Sequence, residues 1–477
     1  MSKMREIIMT IKLFAHQQKC VNLLLENKRF GLWLEPGMGK THTTLSAIDA
    51  HNKHLGQVTR TVVICPKSIM SSAWMKDAEH YRQTLDVRIL AHHDWRKRND
   101  AIQNGAWHVG IINFEQFKIA APLLIEAGVR RFVVDESSRL KNHNSEISEK
   151  AAWFADRMDS VWLLSGTPAP NTPIEYYGQI RTMRPDICGK LYWKWVHSVA
   201  TPITEKVWKK PKNGRPRQID VIADWSQSDR QRAELERQLN LCSIAMRKID
   251  ALDLPKQTEI VRAVELGDVE ASAYHEAMQN LRIMMRGGDV EKIDPQAALI
   301  KLRQITGGQV IVGGVPRMLG RSKLNALGEL FDEIGPQPCL VWAEFTHEID
   351  AIKALCVERG ESVQVIDGRT SSMAGGIATM FQNGEIQRLI CQPMAAGHGI
   401  TLTKAHYAIY YSLGFSYELF KQSKDRIHRL GQDQPCTYFM LLAEDTVDEA
   451  AYGVVRGKGK VSDALLAVLS GNMKTLN

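Results

Sequence analysis

Short apolar runs recur along this chain, each bounded by polar or turn residues, and segments with helical periodicity separate them. In the first part of the chain the runs are TVVIC (61–65), HVGII (108–112), RFVV (131–134) and VWLL (161–164). A strand that is covered on both faces reads as a continuous apolar run, and strands that alternate with helices build a parallel sheet. The pattern therefore predicts an α/β fold, with helices after Lys40 and over 142–158.

The same alternation returns later in the sequence. The runs that predict a second parallel sheet are CLVWA (339–343), SVQVI (362–366), RLIC (388–391), YAIYY (407–411) and TYFML (437–441). The stretch between the two series, 186–320, breaks the rhythm with aromatic and basic segments, long polar runs and paired glycines. We therefore expect an N-terminal lobe over 1–185, a largely helical, basic insertion over 186–320, a C-terminal lobe over 321–455 and a tail over 456–477.

Composition limits the kinds of protein that this chain can be. Hydrophobic residues make up 44% of its 477 residues and charged residues 24%, the usual balance of a globular protein rather than of a disordered or fibrous one. Lysine plus arginine exceed aspartate plus glutamate by 61 to 53, which permits a polyanionic partner without requiring one. The eight cysteines are spread singly, so neither a zinc site nor a disulfide framework is predicted. No apolar run approaches the ~18 residues of a membrane span, and we expect a soluble, cytoplasmic protein.

The segment LEPGMGKT (34–41) follows the apolar run FGLWL and precedes a helix-forming segment, which is the order of a phosphate-binding loop. Gly37 and Gly39 let backbone N–H groups turn toward an anion at a helix N-terminus. Lys40 can bridge terminal phosphates, and the hydroxyl of Thr41 can ligate magnesium. Leu34 stands where the full GxxxxGK[ST] pattern has its first glycine, so a structural glycine-rich turn is the alternative. The candidate nucleotide ligands are Gly37, Met38, Gly39, Lys40 and Thr41.

Two adjacent acidic residues, Asp135 and Glu136, end the apolar run RFVV and begin the segment DESS. The carboxyl ends of parallel strands are where α/β folds bind ligands. At such an edge Asp135 would hold magnesium, and Glu136 would orient and deprotonate the water that attacks a γ-phosphoryl group. A helix N-cap pair is the structural alternative, and the phosphate-loop segment upstream favours the nucleotide interpretation.

The segment QSKDRIHRLGQ (422–432) places Arg426 and Arg429 three residues apart, which on a helix brings both to one face. Guanidinium groups recognise phosphates, and an arginine opposite a phosphate loop neutralises charge in the transition state. If these arginines come from the second lobe, hydrolysis requires the two lobes to close. A surface helix with salt bridges is the alternative for this segment taken by itself.

Taken together, these segments resemble the helicase motifs of superfamily 2, and more narrowly those of the Swi/Snf-type double-stranded DNA translocases. The matching segments, in order along residues 11–452, are LFAHQQ, EPGMGKT, VVICPKSIMSSAW, IINFEQF, VVDESSRLKN, LLSGTPAPNTPIEYY, MAAGHGITLTKA and QSKDRIHRLGQ. The RLKN continuation, SGTPAPN and QxxDRIHRxGQ distinguish this branch from DEAD-box and RecQ-like enzymes. The resemblance implies two RecA-like lobes in tandem, ATP and Mg²⁺ as cofactors and double-stranded DNA as partner.

The resemblance also assigns roles to individual residues. It implies that Gln17 reads adenine, that Gln422 is a coupling residue, and that Gly399 with its neighbours links DNA to nucleotide. It makes Arg426 and Arg429 the arginines that act across the lobes. The residues that it implies as contacts to the DNA backbone are Pro66, Lys67, Asn113, Thr167 and Thr401.

One basic segment lies outside the resemblance. KVWKKPKNGRPRQ (206–218) holds six positive residues, two prolines and a glycine but no acidic residue, which predicts an exposed loop rather than a helix face. A solvated charged loop is one interpretation, and a loop that contacts phosphates is the other. The candidate DNA contacts in it are Lys209, Lys210, Lys212, Arg215 and Arg217.

The sequence thus predicts an ATP-dependent motor that holds duplex DNA by its backbone and steps along it. A strand-separating helicase or an RNA-dependent ATPase is one alternative. A non-catalytic DNA-binding scaffold is another, which Ser138 keeps open because histidine is usual at the fourth position of DExx in this branch. The compact architecture fits a prokaryotic or bacteriophage protein. We expect a monomer in the cytoplasm of a prokaryotic cell or virus-infected host, with a protein partner left open and no membrane association.

Overall fold

The computed structural model describes residues 13–169, 172–189, 191–209, 217–251, 254–286, 295–396 and 400–457. The chain divides into two compact units, Met1–Leu252 and Asp253–Asn477, which we call the first and the second unit. Each unit is built on its own parallel sheet, as the two series of apolar runs predict. Within the described ranges, no helix combines the length and the apolar character that a membrane crossing needs.

The described residues of the first unit contain nine strands. They are β1 (Arg29–Leu34), β2 (Thr61–Cys65), β3 (Val87–Ile89), β4 (Val109–Asn113), β5 (Arg131–Asp135), β6 (Ser160–Ser165), β7 (Thr201–Lys209), β8 (Arg217–Ser226) and β9 (Ser243–Met246). Seven of them form a sheet in the order β3-β4-β2-β5-β6-β1-β9, in which every pair runs parallel. The four runs predicted as strands correspond to β2, β4, β5 and β6, so these predictions are confirmed.

Helices cover both faces of this sheet. They are α1 (Ala15–Glu26), α2 (Lys40–Leu55), α3 (Lys67–Ile69), α4 (Lys76–Ala78), α5 (Trp95–Gln103), α6 (Phe114–Glu126), α7 (Glu146–Ala155), α8 (Tyr176–Met183), α9 (Pro185–Cys188), α10 (Tyr192–Val199), α11 (Asp229–Cys242) and α12 (Lys248–Ala251). On one face Phe132 of β5 packs against Phe117 and Phe154, with ring centroids 5.3 and 4.9 Å away. The next residue, Val133, belongs to the core on the other face. The central strands are mostly apolar because both faces of the sheet are buried there.

In the second unit the described ranges hold eight strands and seven helices. The strands are β10 (Gln257–Val264), β11 (Gln309–Val312), β12 (Val315–Met318), β13 (Cys339–Trp342), β14 (Val363–Ile366), β15 (Arg388–Cys391), β16 (Tyr407–Tyr410) and β17 (Cys436–Ala443). The helices are α13 (Asp268–Arg286), α14 (Pro295–Thr306), α15 (Ser322–Ile334), α16 (Thr346–Glu358), α17 (Ala374–Gln382), α18 (Tyr417–Lys424) and α19 (Val447–Val455). Six strands form a parallel sheet in the order β10-β17-β16-β13-β15-β14. All five predicted strands of this series are present.

The stretch 186–320, expected as one largely helical insertion, is divided between the two units. Its first half holds an antiparallel hairpin, β7 with β8, and the strand β9 that extends the first sheet. Its second half begins with β10, which pairs with β17 over eight residues. The apolar pattern misses β10 because that strand lies at a sheet edge and is largely exposed, so its sequence QTEIVRAV mixes polar and apolar residues instead of forming a continuous apolar run.

Candidate active site

The predicted site segments of the first unit meet at one edge of its sheet. Because the strands run parallel, their carboxyl ends lie together. The residues that end the five central strands are Leu34 (β1), Cys65 (β2), Asn113 (β4), Asp135 (β5) and Ser165 (β6). Each of these strands is followed at once by a segment singled out in the sequence, so the fold collects motifs that are up to 130 residues apart along the chain.

The loop between β1 and α2 has the backbone of an anion-binding turn. Gly37 and Gly39 adopt positive φ angles of 85° and 77°, which glycine tolerates and other residues resist. Gly39 is the N-cap of α2, a helix of 16 residues, so the first backbone N–H groups of that helix face the loop. The ammonium of Lys40 donates to the carbonyl of Leu34 at 2.9 Å, which folds this side chain back over the loop.

Helix α1 holds this loop from the side. The amide of Gln17 donates to the carbonyl of Met38 at 3.4 Å, and its oxygen accepts the backbone N–H of Phe14 at 3.0 Å. A Cβ on Gly39 would lie 2.2 Å from the same amide nitrogen, so a larger residue there would displace the Gln17 side chain. His16, which the sequence did not single out, places its Nε2 3.0 Å from the Met38 carbonyl. The predicted adenine reader Gln17 therefore lies directly on the phosphate loop.

A second tether joins the loop to the end of the first unit. The carboxylate of Glu35 accepts the backbone N–H of Lys248 at 2.9 Å, and the backbone N–H of Glu35 donates to the carbonyl of Met246 at 3.4 Å. These partners lie at the end of β9 and the start of α12, a few residues before the boundary between the units. The sequence did not single out Glu35, because nothing in the GxGKT pattern assigns a task to that position.

The first acidic residue of the pair is buried and held by two donors. The indole N–H of Trp74 donates to Asp135 Oδ2 at 2.9 Å, and the backbone N–H of Glu136 donates to Asp135 Oδ1 at 3.0 Å. Burial raises the pKa of Asp135, the negative charge of Glu136 adds to that rise, and Lys40 and the Trp74 bond oppose it. Trp74 belongs to a π-helix, Met70–Met75, that joins α3 to α4, and short π-helical turns are frequent at functional sites.

The second acidic residue has a backbone conformation that is unusual for its type. Glu136 has φ 57° and ψ 53°, the left-handed region, and it directly precedes a 3₁₀ turn, Ser137–Leu140. Its carbonyl accepts the backbone N–H of Arg139 at 3.0 Å. Such a conformation costs on the order of 1–3 kcal/mol in a residue other than glycine and persists when the surroundings hold it. The backbone strain thus lies at the residue predicted to orient water.

Buried contacts join the DESS turn to the SGTP loop that follows β6. The hydroxyl of Ser137 donates to Gln179 Oε1 at 2.8 Å, and the amide of Gln179 donates to the carbonyl of Pro168 at 2.5 Å. Gly166 lies against the phosphate loop, since a Cβ there would come within 2.7 Å of the Pro36 ring. Ser138, the departure from the family pattern, is buried in the same turn.

The residues present fit a nucleotide with magnesium. Two hard oxygen donors, the hydroxyl of Thr41 and the carboxylate of Asp135, are the ligand type that Mg²⁺ prefers. Gly39 leaves room that a Cβ would fill, and Lys40 is close enough to Asp135 to influence its pKa. The same edge therefore offers an anion cradle, a cation and a carboxylate in one place.

Four of the predicted DNA contacts lie beside this site. Pro66 and Lys67 follow β2, with Lys67 exposed at the start of α3. Asn113 ends β4 and caps α6, where its side chain accepts the N–H of Gln116 at 3.0 Å. Thr167 lies in the loop after β6, and its N–H donates to the hydroxyl of Ser165 at 3.1 Å. The fifth, Thr401, lies in the second unit after β15, partly exposed.

The two predicted arginines of the second unit are not on a helix. Helix α18 ends at Lys424, and both arginines follow it in a series of turns, so the expectation of one helix face is wrong. Their side chains nevertheless point to one place: Nη1 of Arg426 and Nη1 of Arg429 donate to the carbonyl of Ile400, at 3.2 and 3.4 Å. Ile400 directly follows residues 397–399, which lie outside the described residues and include the predicted Gly399.

Two residues that the sequence did not single out set the shape of these turns. His428 places its ring nitrogens 2.8 Å from the carbonyl of Pro255 and 2.7 Å from the amide of Gln257, at the start of β10. The amide of Gln432 donates to the carbonyls of Ala405 and Thr403, at 2.8 and 3.2 Å. The segment is bonded to neighbouring strands and loops and so cannot continue α18. Gln422, the predicted coupling residue, is buried in α18, and its amide donates to Glu418 at 3.2 Å.

The two ends of the basic segment belong to the hairpin formed by β7 and β8, and residues 210–216 lie outside the described residues. Lys209, the last residue of β7, is paired with Arg217, the first residue of β8. The predicted contacts Lys210, Lys212 and Arg215 lie outside the described residues. The expectation of a loop over the whole of 206–218 is therefore wrong at its two ends, where an antiparallel ladder continues through 206–209 and from 217 onward.

Family models match most of the chain. The model of the SNF2-related domain matches residues 16–307, and the model of the helicase conserved C-terminal domain matches residues 322–431. These two ranges contain every segment that forms the edge described above and the turns that carry the two arginines. They also agree with the order of motifs along the sequence.

Similar proteins come from a virus and from animals. Protein p41 of Acyrthosiphon pisum secondary endosymbiont phage 1 is 23% identical over 95% of this chain and 98% of its own length. Chromodomain-helicase-DNA-binding protein 1-like of Mus musculus is 25% identical over 96% of this chain. The SWI/SNF-related regulator of chromatin subfamily A member 1 of Mus musculus is 25% identical over 87%. This chain spans about half of the former mouse protein and 39% of the latter.

Among solved structures, one similar chain is the Sulfolobus solfataricus SWI2/SNF2 ATPase core in complex with dsDNA. It is 19% identical, with a TM-score of 0.44, over 97% of this chain and 94% of its own.

Proposed function

This chain belongs to the SNF2-related family, DNA-dependent ATPases of helicase superfamily 2, and we propose that it is a motor that moves along duplex DNA as it hydrolyses ATP. One observation carries the proposal. The predicted phosphate loop, the acidic pair and four of the five predicted backbone contacts to DNA lie where neighbouring parallel strands of one sheet end, so they share one edge of that sheet. The fifth contact, Thr401, lies in the second unit. Groups that bind nucleotide and groups that bind DNA are then close enough to influence each other.

ATP would bind with its phosphates on the loop between β1 and α2. The N–H groups at the start of α2 and the ammonium of Lys40 supply positive potential for the phosphates, and Gln17 lies beside the loop for the base. Thr41 and Asp135 would hold Mg²⁺, which neutralises charge on the phosphate oxygens when it is bound. To reach adenine, the amide of Gln17 would have to break its hydrogen bond to the carbonyl of Met38. That bond is weak because it is 3.4 Å long.

Hydrolysis would depend on Glu136 and on cations that complete the site. The carboxylate of Glu136 orients the attacking water and accepts its proton. Arg426 and Arg429 supply charge to the transferring phosphoryl group, so that turnover requires both units. In the second unit Gln422 and the loop of Gly399 transmit the state of the nucleotide to the DNA.

DNA would be held by its backbone and not by its bases. The predicted contacts are a lysine, short polar side chains and a proline at loop positions, which suit phosphates and carry no pattern for reading base edges. Binding of this kind tolerates any sequence and weakens steeply with salt. The basic segment between β7 and β8 would add further phosphate contacts.

The alternatives differ in the polymer that drives hydrolysis. A strand-separating helicase or an RNA-dependent ATPase would respond to single strands or RNA, and a non-catalytic scaffold would bind DNA without turnover. Intact residues at positions 40, 135, 136, 426 and 429 favour turnover over the scaffold. The similarity to a bacteriophage protein along almost its whole length favours a compact motor that acts in the cytoplasm of a prokaryotic or virus-infected cell. We propose a monomer as the active form.

The test compares polymers at equal phosphate concentration. Steady-state ATPase is measured with duplex DNA, single-stranded DNA, RNA and no polymer, and a triplex-displacement assay reports movement along the duplex. We expect duplex DNA to stimulate most, to support triplex displacement and to remain unseparated. Lys40→Ala should lose turnover with every polymer because it weakens phosphate binding and transition-state stabilisation alike. Stronger stimulation by RNA or single strands would replace the proposal with the first alternative.

A further inference from the structure

Helix α8 carries a buried glutamine whose two ends bind different site loops. Gln179 has no exposed surface, its Oε1 accepts the hydroxyl of Ser137, and its Nε2 donates to the carbonyl of Pro168. One planar amide thus fixes the distance between the turn that follows β5 and the loop that follows β6. The bond from Ser137 has the usual O–H···O length of 2.8 Å, and the bond to Pro168, at 2.5 Å, is shorter than the usual N–H···O range.

The neighbours of Gln179 leave this helix little freedom to move. A Cβ on Gly178 would lie 2.0 Å from the carbonyl oxygen of Leu140, the last residue of the same turn, so the backbone of α8 touches it directly. The Gln179 amide also donates to the carbonyl of Glu175 at 3.3 Å, one helical turn earlier. Since α8 presses on the turn at Leu140 and bonds it at Ser137, a shift of Pro168 would reach the turn through this helix.

The turn that Gln179 holds contains the strained residue. Glu136 keeps φ 57° only while the residues after it are fixed, and Ser137 is the first of them. The loop at the other end contains Thr167, one of the predicted backbone contacts to DNA, next to Pro168. An amide that joins these two loops is positioned to relate the conformation of one to that of the other.

From this geometry we propose that Gln179 is a positioning residue that couples DNA contact at the Thr167 loop to the conformation of Glu136. The inference rests on the proposed function, in which DNA stimulates hydrolysis, and names the side chain through which part of that stimulation passes. When DNA fixes the loop, Pro168 holds the amide, the amide holds Ser137, and Glu136 stays in the conformation that directs its carboxylate. Without these bonds, Glu136 can relax to an ordinary backbone conformation.

The test separates coupling from stability with three variants and a control. Gln179→Leu removes both bonds, Ser137→Ala removes one, and the double variant removes nothing further from this pair. The control, Thr182→Val, lies in the same helix, is equally buried and loses a hydrogen bond to the carbonyl of Gly178 that reaches neither loop. For each protein kcat and KM for ATP are measured with and without duplex DNA, together with the melting temperature.

We expect Gln179→Leu to lower the ratio of DNA-stimulated to basal kcat about tenfold, within the usual range of coupling between sites. KM for ATP should change less than about twofold, because the phosphate loop is not altered. Ser137→Ala should move the ratio in the same direction by a smaller factor. The double variant should equal Gln179→Leu, since residues that share one bond are not additive, and Thr182→Val should keep the wild-type ratio.

Several results would overturn the coupling role. A wild-type ratio in Gln179→Leu would show that the amide transmits nothing, and equal losses of the ratio in Gln179→Leu and Thr182→Val would show a structural effect of the helix. If Gln179→Leu does not fold, Ser137→Ala decides, because it deletes one oxygen and leaves the packing intact. A wild-type protein that DNA does not stimulate at all would instead refute the proposed function, which distinguishes the two failures.

Discussion

The two units hold their predicted catalytic groups in different ways. In the first unit, side chains tie the site segments to one another: Trp74 to Asp135, Gln17 to the phosphate loop, and Gln179 to both the DESS turn and the SGTP loop. In the second unit, Arg426 and Arg429 both donate to one backbone carbonyl. A guanidinium bonds a charged phosphate oxygen more strongly than a neutral carbonyl. The first unit therefore has a preassembled site, although its cation, Lys40, also donates to a backbone carbonyl. The second unit presents two arginines whose described carbonyl bonds a phosphate can replace.

The largest expected effect tests the preassembled site. Glu136→Gln keeps the shape of the side chain and removes the charge that orients water and accepts its proton, so kcat should fall about 10³-fold while ATP still binds. Turnover and nucleotide binding are measured on the same protein. The matched control is Glu149→Gln, an exposed residue of α7. Turnover near that of the control would show that Glu136 does not activate the water, and the first unit would then lack the catalytic group that its preassembled site is expected to hold.

The second effect tests the two arginines whose carbonyl bonds a phosphate can replace. Arg429→Ala should lower DNA-stimulated kcat by at least about 10²-fold and leave ATP binding to the first unit intact, because its charge acts on the transferring phosphoryl group. Nucleotide titration and turnover are measured in parallel. Arg321→Ala serves as control, since Arg321 is a half-exposed arginine of the same unit whose partner is Glu358 at 3.5 Å. Equal losses of binding and turnover would indicate that Arg429 stabilises its turn instead.

The same contrast explains what the sequence could predict. The strands are readable because β2, β5 and their neighbours are buried on both faces and so appear as unbroken apolar runs. The candidate catalytic residues can be predicted because the GKT and DE motifs each follow closely after the end of an apolar run. The structure then places these residues at one edge, but their roles as nucleotide and DNA contacts stay predictions.

The bonds between segments could not be predicted in this way. Ser137 and Gln179 are 42 positions apart, and Trp74 and Asp135 are 61 apart, so no local pattern links them. The sequence interpretation places Arg426 and Arg429 on one helix face, which assumes that the helix continues through both residues. His428 and Gln432 decide otherwise through bonds to β10 and to the loop before β16. Tertiary hydrogen bonds thus override the local preference for continuing the helix. The edge strand β10 is missed for another reason, since it is largely exposed and lacks a continuous apolar run.

A third effect asks whether the first unit also holds DNA away from the sheet edge. Replacing Lys209, Lys210, Lys212, Arg215 and Arg217 by glutamine should weaken duplex binding equally for all sequences. It should also flatten log affinity against log salt by about 0.9 for each DNA phosphate that the variant no longer neutralises. ATPase at saturating DNA should stay near wild type. Binding is measured by titration at several salt concentrations.

The control for this segment uses the opposite edge of the sheet. Arg130 and Arg157 are exposed and precede β5 and β6, so they lie at the amino ends of the strands. Their replacement by glutamine should leave the salt slope unchanged. An unchanged slope in the five-residue variant would mean that the basic segment is only solvated or serves a protein partner. A collapse of saturated turnover would make it part of the motor.

The smallest effect tests a single tie within the preassembled site. Trp74→Phe keeps an aromatic ring in the buried position and removes the N–H that holds Asp135 Oδ2, so the carboxylate loses one of two donors that orient it. We expect the Mg²⁺ concentration for half-maximal nucleotide binding to rise about tenfold, since loss of a partner that orients a metal ligand typically costs about 10- to 100-fold in metal affinity and Glu136 still donates the second bond. The matched control is Trp162→Phe, a buried tryptophan of the same unit whose indole donates to the carbonyl of Asn27 at 3.2 Å. If both variants shift the Mg²⁺ midpoint equally, the effect comes from weakened packing, and Asp135 is oriented without Trp74.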